Sequence, residues 1–243
     1  MTIISKNEEK SIAECLASVN WADEVIVVDS GSTDKTVEIC KAYGAKVYIT
    51  EDWPGFGEQK NRALNLATGK WVLSIDADEI VSPELREEIL SAIHSTESNV
   101  AFRIPRKSSY CGQFIQHSGW WPDYVTRLFP KSNTRFSDDL VHERVLFDGK
   151  IKSMKHPLIH ASYLNLEEVL DKINRYSTDG AAMLLAQKQT SSLSNALLHG
   201  VWAFIRTYFI RRGFLDGRMG FILAISNAET TYYRYLKLAL QSK

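Results

Sequence analysis

Val25-Ile26-Val27-Val28-Asp29-Ser30-Gly31-Ser32-Thr33-Asp34 is a β-branched run that breaks abruptly into a polar turn. Apolar residues at every position of a short run suit a strand buried on both faces, as in a parallel sheet covered by helices. Upstream, Ile3-Ile4 repeats the signature, and Ile12, Cys15, Leu16 and Val19 recur at helical spacing between the two runs. The spacing predicts strand, helix, strand. Downstream, Ser32, Thr33 and Asp34 can cap a helix that carries Val37, Ile39, Cys40 and Tyr43 and stops at Gly44. A third strand is expected over 46–50, a helix over 59–67 stopped at Gly69, and a fourth strand over 71–75. Alternating β and α elements of this kind define the α/β class, with a mostly parallel sheet sandwiched by helices.

From about residue 98 to 163 the texture changes to short strands, loops and many aromatics, punctuated by Gly112, Gly119, Pro122, Pro130 and Pro157. This half is expected to be a mixed sheet that completes a site. Asn165 can cap a helix from Leu166, with Glu168 placed as in a capping box, and the rest of the chain reads as helical. Two regions follow: 1–164 as an α/β domain that carries the site, and 165–243 as a helical region.

The 243 residues carry 29 Lys+Arg and 29 Asp+Glu, a formal charge of zero, with 44% hydrophobic and 24% charged residues. That balance excludes global disorder and gives no whole-chain attraction to nucleic acid. Cys15, Cys40 and Cys111 lack the spacing of a zinc or redox motif and point to a reducing compartment. The first residues turn polar at Lys6-Asn7-Glu8-Glu9, so no signal peptide is expected and the cytoplasm is the expected location. No apolar run approaches the ~18 residues of a spanning helix.

In open α/β sheets ligands bind beyond the carboxyl ends of the strands, so the polar residues that follow buried strands are the first candidates. Asp29 is one; its plainer role is a turn carboxylate before a capped helix. Asp76-Ala77-Asp78-Glu79 after Trp71-Val72-Leu73-Ser74-Ile75 is the other. In extended geometry Asp76 and Asp78 point to one side, and two converging carboxylates are costly unless a cation joins them. Magnesium or manganese, held by one or two carboxylates plus substrate phosphates, meets that need; a solvated loop is the alternative.

At this point the chain resembles the inverting nucleotide-sugar glycosyltransferases of family 2 with the GT-A fold. The resemblance is carried by Ile4-Ser5-Lys6-Asn7-Glu8-Glu9, by the stretch quoted first, by Gln59-Lys60-Asn61-Arg62-Ala63 and by Asp76-Ala77-Asp78-Glu79. It implies a Rossmann-like sheet and a UDP-sugar donor, with Asp29 and Lys60 around the uracil, Asp76 at the ribose or metal, and Asp78 on the metal that bridges the diphosphate. It further implies a base on a late acidic motif, matched here by Val141-His142-Glu143, with Glu143 the first candidate and Asp139 the reserve. A salt-bridging surface Glu143 is the competing role. His160 resembles a late histidine that completes metal or diphosphate binding, and a structural histidine is the alternative. Gly119-Trp120-Trp121-Pro122-Asp123 offers flat aromatic faces and a carboxylate, the chemistry of a sugar contact, although tryptophans are also ordinary core residues.

With Leu158-Ile159-His160-Ala161-Ser162-Tyr163, Lys172-Ile173-Asn174-Arg175-Tyr176 and Gly213-Phe214-Leu215-Asp216-Gly217 added, the pattern along nearly the whole chain looks most similar to the bacterial lipopolysaccharide-core β-glucosyltransferases of this family. That implies a lipid-linked heptose acceptor and UDP-glucose. Residues 196–226 interleave large apolar side chains with Arg206, Arg211, Arg212 and Arg218, as in helices that lie on an anionic bilayer. The expected placement is peripheral, on the cytoplasmic face of the inner membrane; packing on the catalytic domain or a dimer interface is the alternative. Two other functions fit parts of the pattern: a haloacid-dehalogenase-type phosphatase with Asp76 as nucleophile, and an inactive transferase-like membrane scaffold.

Overall fold

The computed structural model describes residues 1–95, 99–138 and 143–242. They group into two compact units, residues 1–106 with 124–160 and residues 107–123 with 161–243.

The first unit opens with β1 (Thr2–Ser5), α1 (Ile12–Ser18), β2 (Ile26–Asp29), α2 (Thr36–Ala42), β3 (Lys46–Ile49), α3 (Phe56–Leu66) and β4 (Trp71–Asp76). β3, β2, β1 and β4 lie side by side in that order and all run parallel; Thr2 is in register with Ile26 and Ser74, and Ile26 with Lys46. The period of two along each strand divides the core into two layers. Ile3, Val27, Leu73 and Ile75 join Ile12, Leu16, Leu85 and Ile89 in one layer; Ile4, Val28 and Val72 join Ala63, Leu64 and Phe129 in the other. Burial on both faces holds along β1 and β2. It fails at β3, the edge of the sheet, where Tyr48 and Ile49 are exposed.

A turn after β4 leads into β5 (Glu79–Val81) and α4 (Pro83–Ser95), a helix the sequence reading passes over although Pro83 opens it and Leu85 and Ile89 share its buried face. β6 (Val100–Tyr110), β7 (Gln113–Phe114), β8 (Asp123–Pro130), β11 (Lys150–Ser153) and β12 (Leu158–Tyr163) extend a ten-stranded mixed sheet in the order β3-β2-β1-β4-β8-β6-β12-β5, with β7 and β11 paired to β6. β8 runs antiparallel to β4, Phe129 facing Val72. With 11 residues β6 is longer than the short strands expected there. β9 (Thr134–Phe136) and β10 (Val145–Phe147) form a separate antiparallel pair.

The second unit holds α5 (Leu166–Ala186), α6 (Leu193–Ile205) and α7 (Gly217–Gln241), together with residues 107–123. Asn165 caps α5 as expected, accepting the Glu168 N–H at 2.9 Å. Glu168 reaches back to the Leu164 N–H at 3.0 Å, one residue past the N-cap N–H that a capping box would use. A π turn (Arg206–Ile210) and a 3-10 turn (Gly213–Asp216) join α6 to α7. The buried centre consists of Tyr110, Ile115, Val169, Ile173 and Leu223. Asp216 ties 107–123 to the start of α7: it accepts the N–H groups of Gln116 and His117, each at 3.0 Å, and the Ser118 hydroxyl at 3.1 Å. Among the described residues no helix is long and apolar enough to cross a membrane.

Candidate active site

The parallel register brings the polar strand ends together. Ser5 of β1 is opposite Asp29 of β2, and Ile4 is opposite Asp76 of β4, so three neighbouring strands deliver Ser5, Asp29 and Asp76 to one rim of the sheet. Asp29 is fully buried there. It accepts the Ser5 hydroxyl at 2.8 Å and, from its own turn, the Ser32 N–H at 2.8 Å and the Ser32 hydroxyl at 2.5 Å. The loops that follow β1 and β2 are fastened to each other in the same manner. Asn7 donates its N–H to the Ser32 hydroxyl and accepts the Thr33 N–H, both at 2.8 Å, and the Glu8 N–H reaches Thr36 at 2.7 Å. Asn7 adopts φ 57°, a left-handed conformation that asparagine tolerates better than most residues.

Lys60 occupies the buried face of α3. Its ammonium lies 2.9 Å from Asp76 Oδ1 and 2.6 Å from Glu143 Oε1, which joins a helix, a strand end and a loop through one cation. The close approach depends on Gly57, one turn earlier: a Cβ there would stand 1.9 Å from the Ser137 carbonyl oxygen. The second oxygen of Asp76 meets the Arg127 guanidinium from β8, which also reaches Glu79 Oε1 at 2.7 Å. Glu79 is fully buried, and its other oxygen accepts the Asp76 N–H at 2.8 Å. Burial pushes the Asp76 carboxyl up, but the Arg127 and Lys60 charges outweigh it and hold the group well below the usual carboxylate range. At Glu79 burial wins over Arg127, with the Asp76 charge adding to it, and the carboxyl is raised.

Asp78 occupies the turn between β4 and β5. His160 of β12, in register with Glu79, puts Nε2 at 3.2 Å from Asp78 Oδ2. The premise of two unpaired, converging carboxylates does not hold. The strand ends at Asp76, the chain turns through Ala77 and Asp78, and Asp76 already faces two resident cations. Among the described residues no group of three or more His, Cys, Asp and Glu side chains gathers as a metal centre. A carboxylate and an imidazole in contact, partly open at 26% and 13% side-chain exposure, nevertheless fit a divalent cation that takes its other ligands from a diphosphate and water.

Lys60, Asp76 and Glu143 therefore meet, Asp78 and His160 meet, and Asp29 stands on the same rim. Arg127 and Glu79 escape a reading by motif. Their signals are a lone charge inside Tyr124-Val125-Thr126-Arg127-Leu128-Phe129 and an acid directly behind the Asp-x-Asp, and the two are 48 residues apart in sequence. Asp139, the reserve base, lies outside the described residues, as does His142. Trp120, Trp121 and Asp123 belong to the second unit. Trp120 packs against Tyr110 and Tyr163 with ring centroids 5.8 and 6.0 Å away, whereas Trp121 is exposed.

The profile of Glycosyl transferase family 2 matches residues 2–151. The glycosyltransferase RP128 of Rickettsia prowazekii is 37% identical over 250 residues, covering 97% of this chain and 85% of its own. The lipopolysaccharide core biosynthesis glycosyltransferase LpsC of Rhizobium meliloti is 28% identical over 97% of this chain and 90% of its own. Among solved structures, S. aureus TarS superposes with a TM-score of 0.51 at 20% identity, over 92% of this chain and 47% of that one. This last likeness is one of fold, and the fold is GT-A. The chain belongs to glycosyl transferase family 2 and is a glycosyltransferase.

Proposed function

We propose that this family 2 glycosyltransferase transfers a sugar, with inversion, from a UDP-sugar to a lipid-linked heptose of the lipopolysaccharide inner core. The observation that carries the reading is the convergence of Lys60, Asp76 and Glu143 beside the Asp78–His160 pair at the carboxyl rim of the sheet. Its kinship with LpsC, a core-biosynthesis enzyme by name, supports the acceptor class. The phosphatase reading needs Asp76 as a free nucleophile; family membership and the engagement of both Asp76 oxygens set it aside. The scaffold reading gives way to an enzyme.

In this proposal Asp29 and Lys60 border the nucleobase, Asp76 takes the ribose, and Asp78 with His160 holds a magnesium or manganese ion. When bound, such an ion stabilises the negative charge that builds on the departing diphosphate. Glu143 removes the proton from the attacking acceptor hydroxyl, a contribution of about 10²–10⁴ in rate. To do so it must exchange its bond with Lys60 for one with the acceptor. Lys60 stays paired through Asp76 while this happens, so the exchange leaves no buried charge alone. Trp120, Trp121 and Asp123 stand as proposed sugar contacts in their own right.

We place the protein on the cytoplasmic face of the inner membrane, where a lipid-linked acceptor is presented. Leu197, Leu198, Val201 and Trp202 on α6 and Phe209 and Ile210 beyond it are exposed, in the company of the four arginines noted above. The test is to incubate the protein with a panel of UDP-sugars and truncated lipid-A-core acceptors and to identify products by mass. A sugar added to heptose, lost on chelation and lost in Asp78→Ala with the fold retained, is the expected result. Full turnover in excess chelator would remove the metal from the scheme.

A further inference from the structure

We propose that Arg127 is a positioning residue of the donor site: it sets the Asp76 carboxylate, and through Glu79 the turn that carries Asp78, in the arrangement that receives a nucleoside diphosphate sugar. The inference rests on the donor-site reading above.

The buried Arg127 turns its guanidinium to Asp76 and Glu79, so its effect is expected to pass through those two side chains. Its guanidinium bridges Asp76 and Glu79, and Glu79 returns to the Asp76 backbone N–H. The three residues thus close a ring around the turn at 77–78. One Asp76 oxygen faces Arg127 and the other faces Lys60, which fixes the plane of the carboxylate. The ring also sets where the chain leaves β4, and with it the position of Asp78 opposite His160.

Stability is a weak reason for such a residue. The Arg127 Nε is buried without a hydrogen-bond partner, an expense an apolar side chain would avoid. Buried ion pairs replaced by apolar groups of similar volume often leave a protein as stable as before. The ring is better explained by the geometry it imposes than by the energy it adds.

The competing role is simple neutralisation of the buried Glu79, and a paired substitution separates the two. Arg127→Met alone leaves Glu79 with the more distant Arg106, 3.7 Å away, and should lose both thermal stability and turnover. In Arg127→Met/Glu79→Gln the charge of the buried Glu79 is gone and Asp76 keeps Lys60, so the thermal midpoint should recover to within a few degrees of the parent. The donor kcat/KM should nevertheless stay at least 50-fold down and UDP affinity, read by calorimetry, at least 10-fold down, while the acceptor KM moves less than threefold. Recovery of donor kinetics together with the midpoint would overturn the proposal. Arg127→Lys covers the case in which the double variant does not fold. The lysine ammonium ends about one bond short of Nη2, the atom that meets both carboxylates, and lacks the planar fork that sets their orientation, so a folded but donor-impaired enzyme is expected, and parental kinetics would overturn the proposal. Should the parent protein itself release no UDP from any UDP-sugar, the donor-site reading falls, an outcome distinct from active Arg127 variants.

Discussion

At Gly57 the absence of a side chain is a condition of the site. Adding a methyl group would drive a Cβ into the Ser137 carbonyl oxygen, a backbone atom that cannot rotate aside. Gly57→Ala is expected to cost about 3 kcal/mol and to lower Tm by about 6–12 °C in a thermal melt. Because Glu143 lies against the same glycine, activity should fall more steeply than stability. Single residues of this kind were partly legible in the sequence. Asp29, Lys60, Asp76 and Asp78 each sit in a local motif, and the structure sets them along one rim. Arg127 carries no motif: its meaning comes from β8 lying against β4, a pairing created only by folding. The charges that meet Asp76 are hidden from a local reading for the same reason, since they arrive from α3 and β8.

The helices and strands themselves were easier to read, because period and caps are local. Asn165→Ala removes the cap of a 21-residue helix and should cost about 0.5–2 kcal/mol in denaturant unfolding. The strand ends are held by a second kind of device. Glu24, just before β2, takes the Lys46 ammonium of β3 at 2.8 Å and the Thr68 N–H that precedes β4 at 2.9 Å. The bond to Lys46 and the Thr68 N–H lower the Glu24 carboxyl from 4.5 to about 2. A depressed carboxyl contributes stability that is complete above its unfolded value and fades as pH falls toward its folded one. The difference in Tm between the parent and Glu24→Gln should therefore be largest above pH 4.5 and vanish near pH 2. Equal differences at both ends of that range would rule out the clamp. α4 was missed and β6 judged too short because both lie where the β/α alternation ends and no repeated unit remains to anchor the reading.

For the molecule as a whole, composition argued against global disorder and gave no whole-chain attraction to nucleic acid, but it could not show that residues 107–123 group with the C-terminal helices. That grouping depends on Asp216 and on a shared apolar centre, contacts across about a hundred residues of chain. The membrane reading belongs to this scale too. Co-sedimentation should show binding to vesicles rich in anionic lipid and little to neutral ones, with Arg211→Glu/Arg212→Glu or high salt weakening it about tenfold or more. Equal binding to both vesicle types would exclude the arginines as the cause. A fragment ending at residue 164 leaves Tyr110 and Ile115 without Val169, Ile173 and Leu223, and should be recovered aggregated from expression.

The same arrangement governs how the protein is made. Synthesis runs from the amino end at about 5–20 residues per second, so residues 107–123 leave the ribosome well before the helices that cover them. For roughly 5–20 seconds the nascent chain carries Tyr110, Ile115 and Trp120 without the groups that later enclose them. Maturation of this polypeptide thus includes a waiting period, during which chaperone capture competes with the arrival of its own tail.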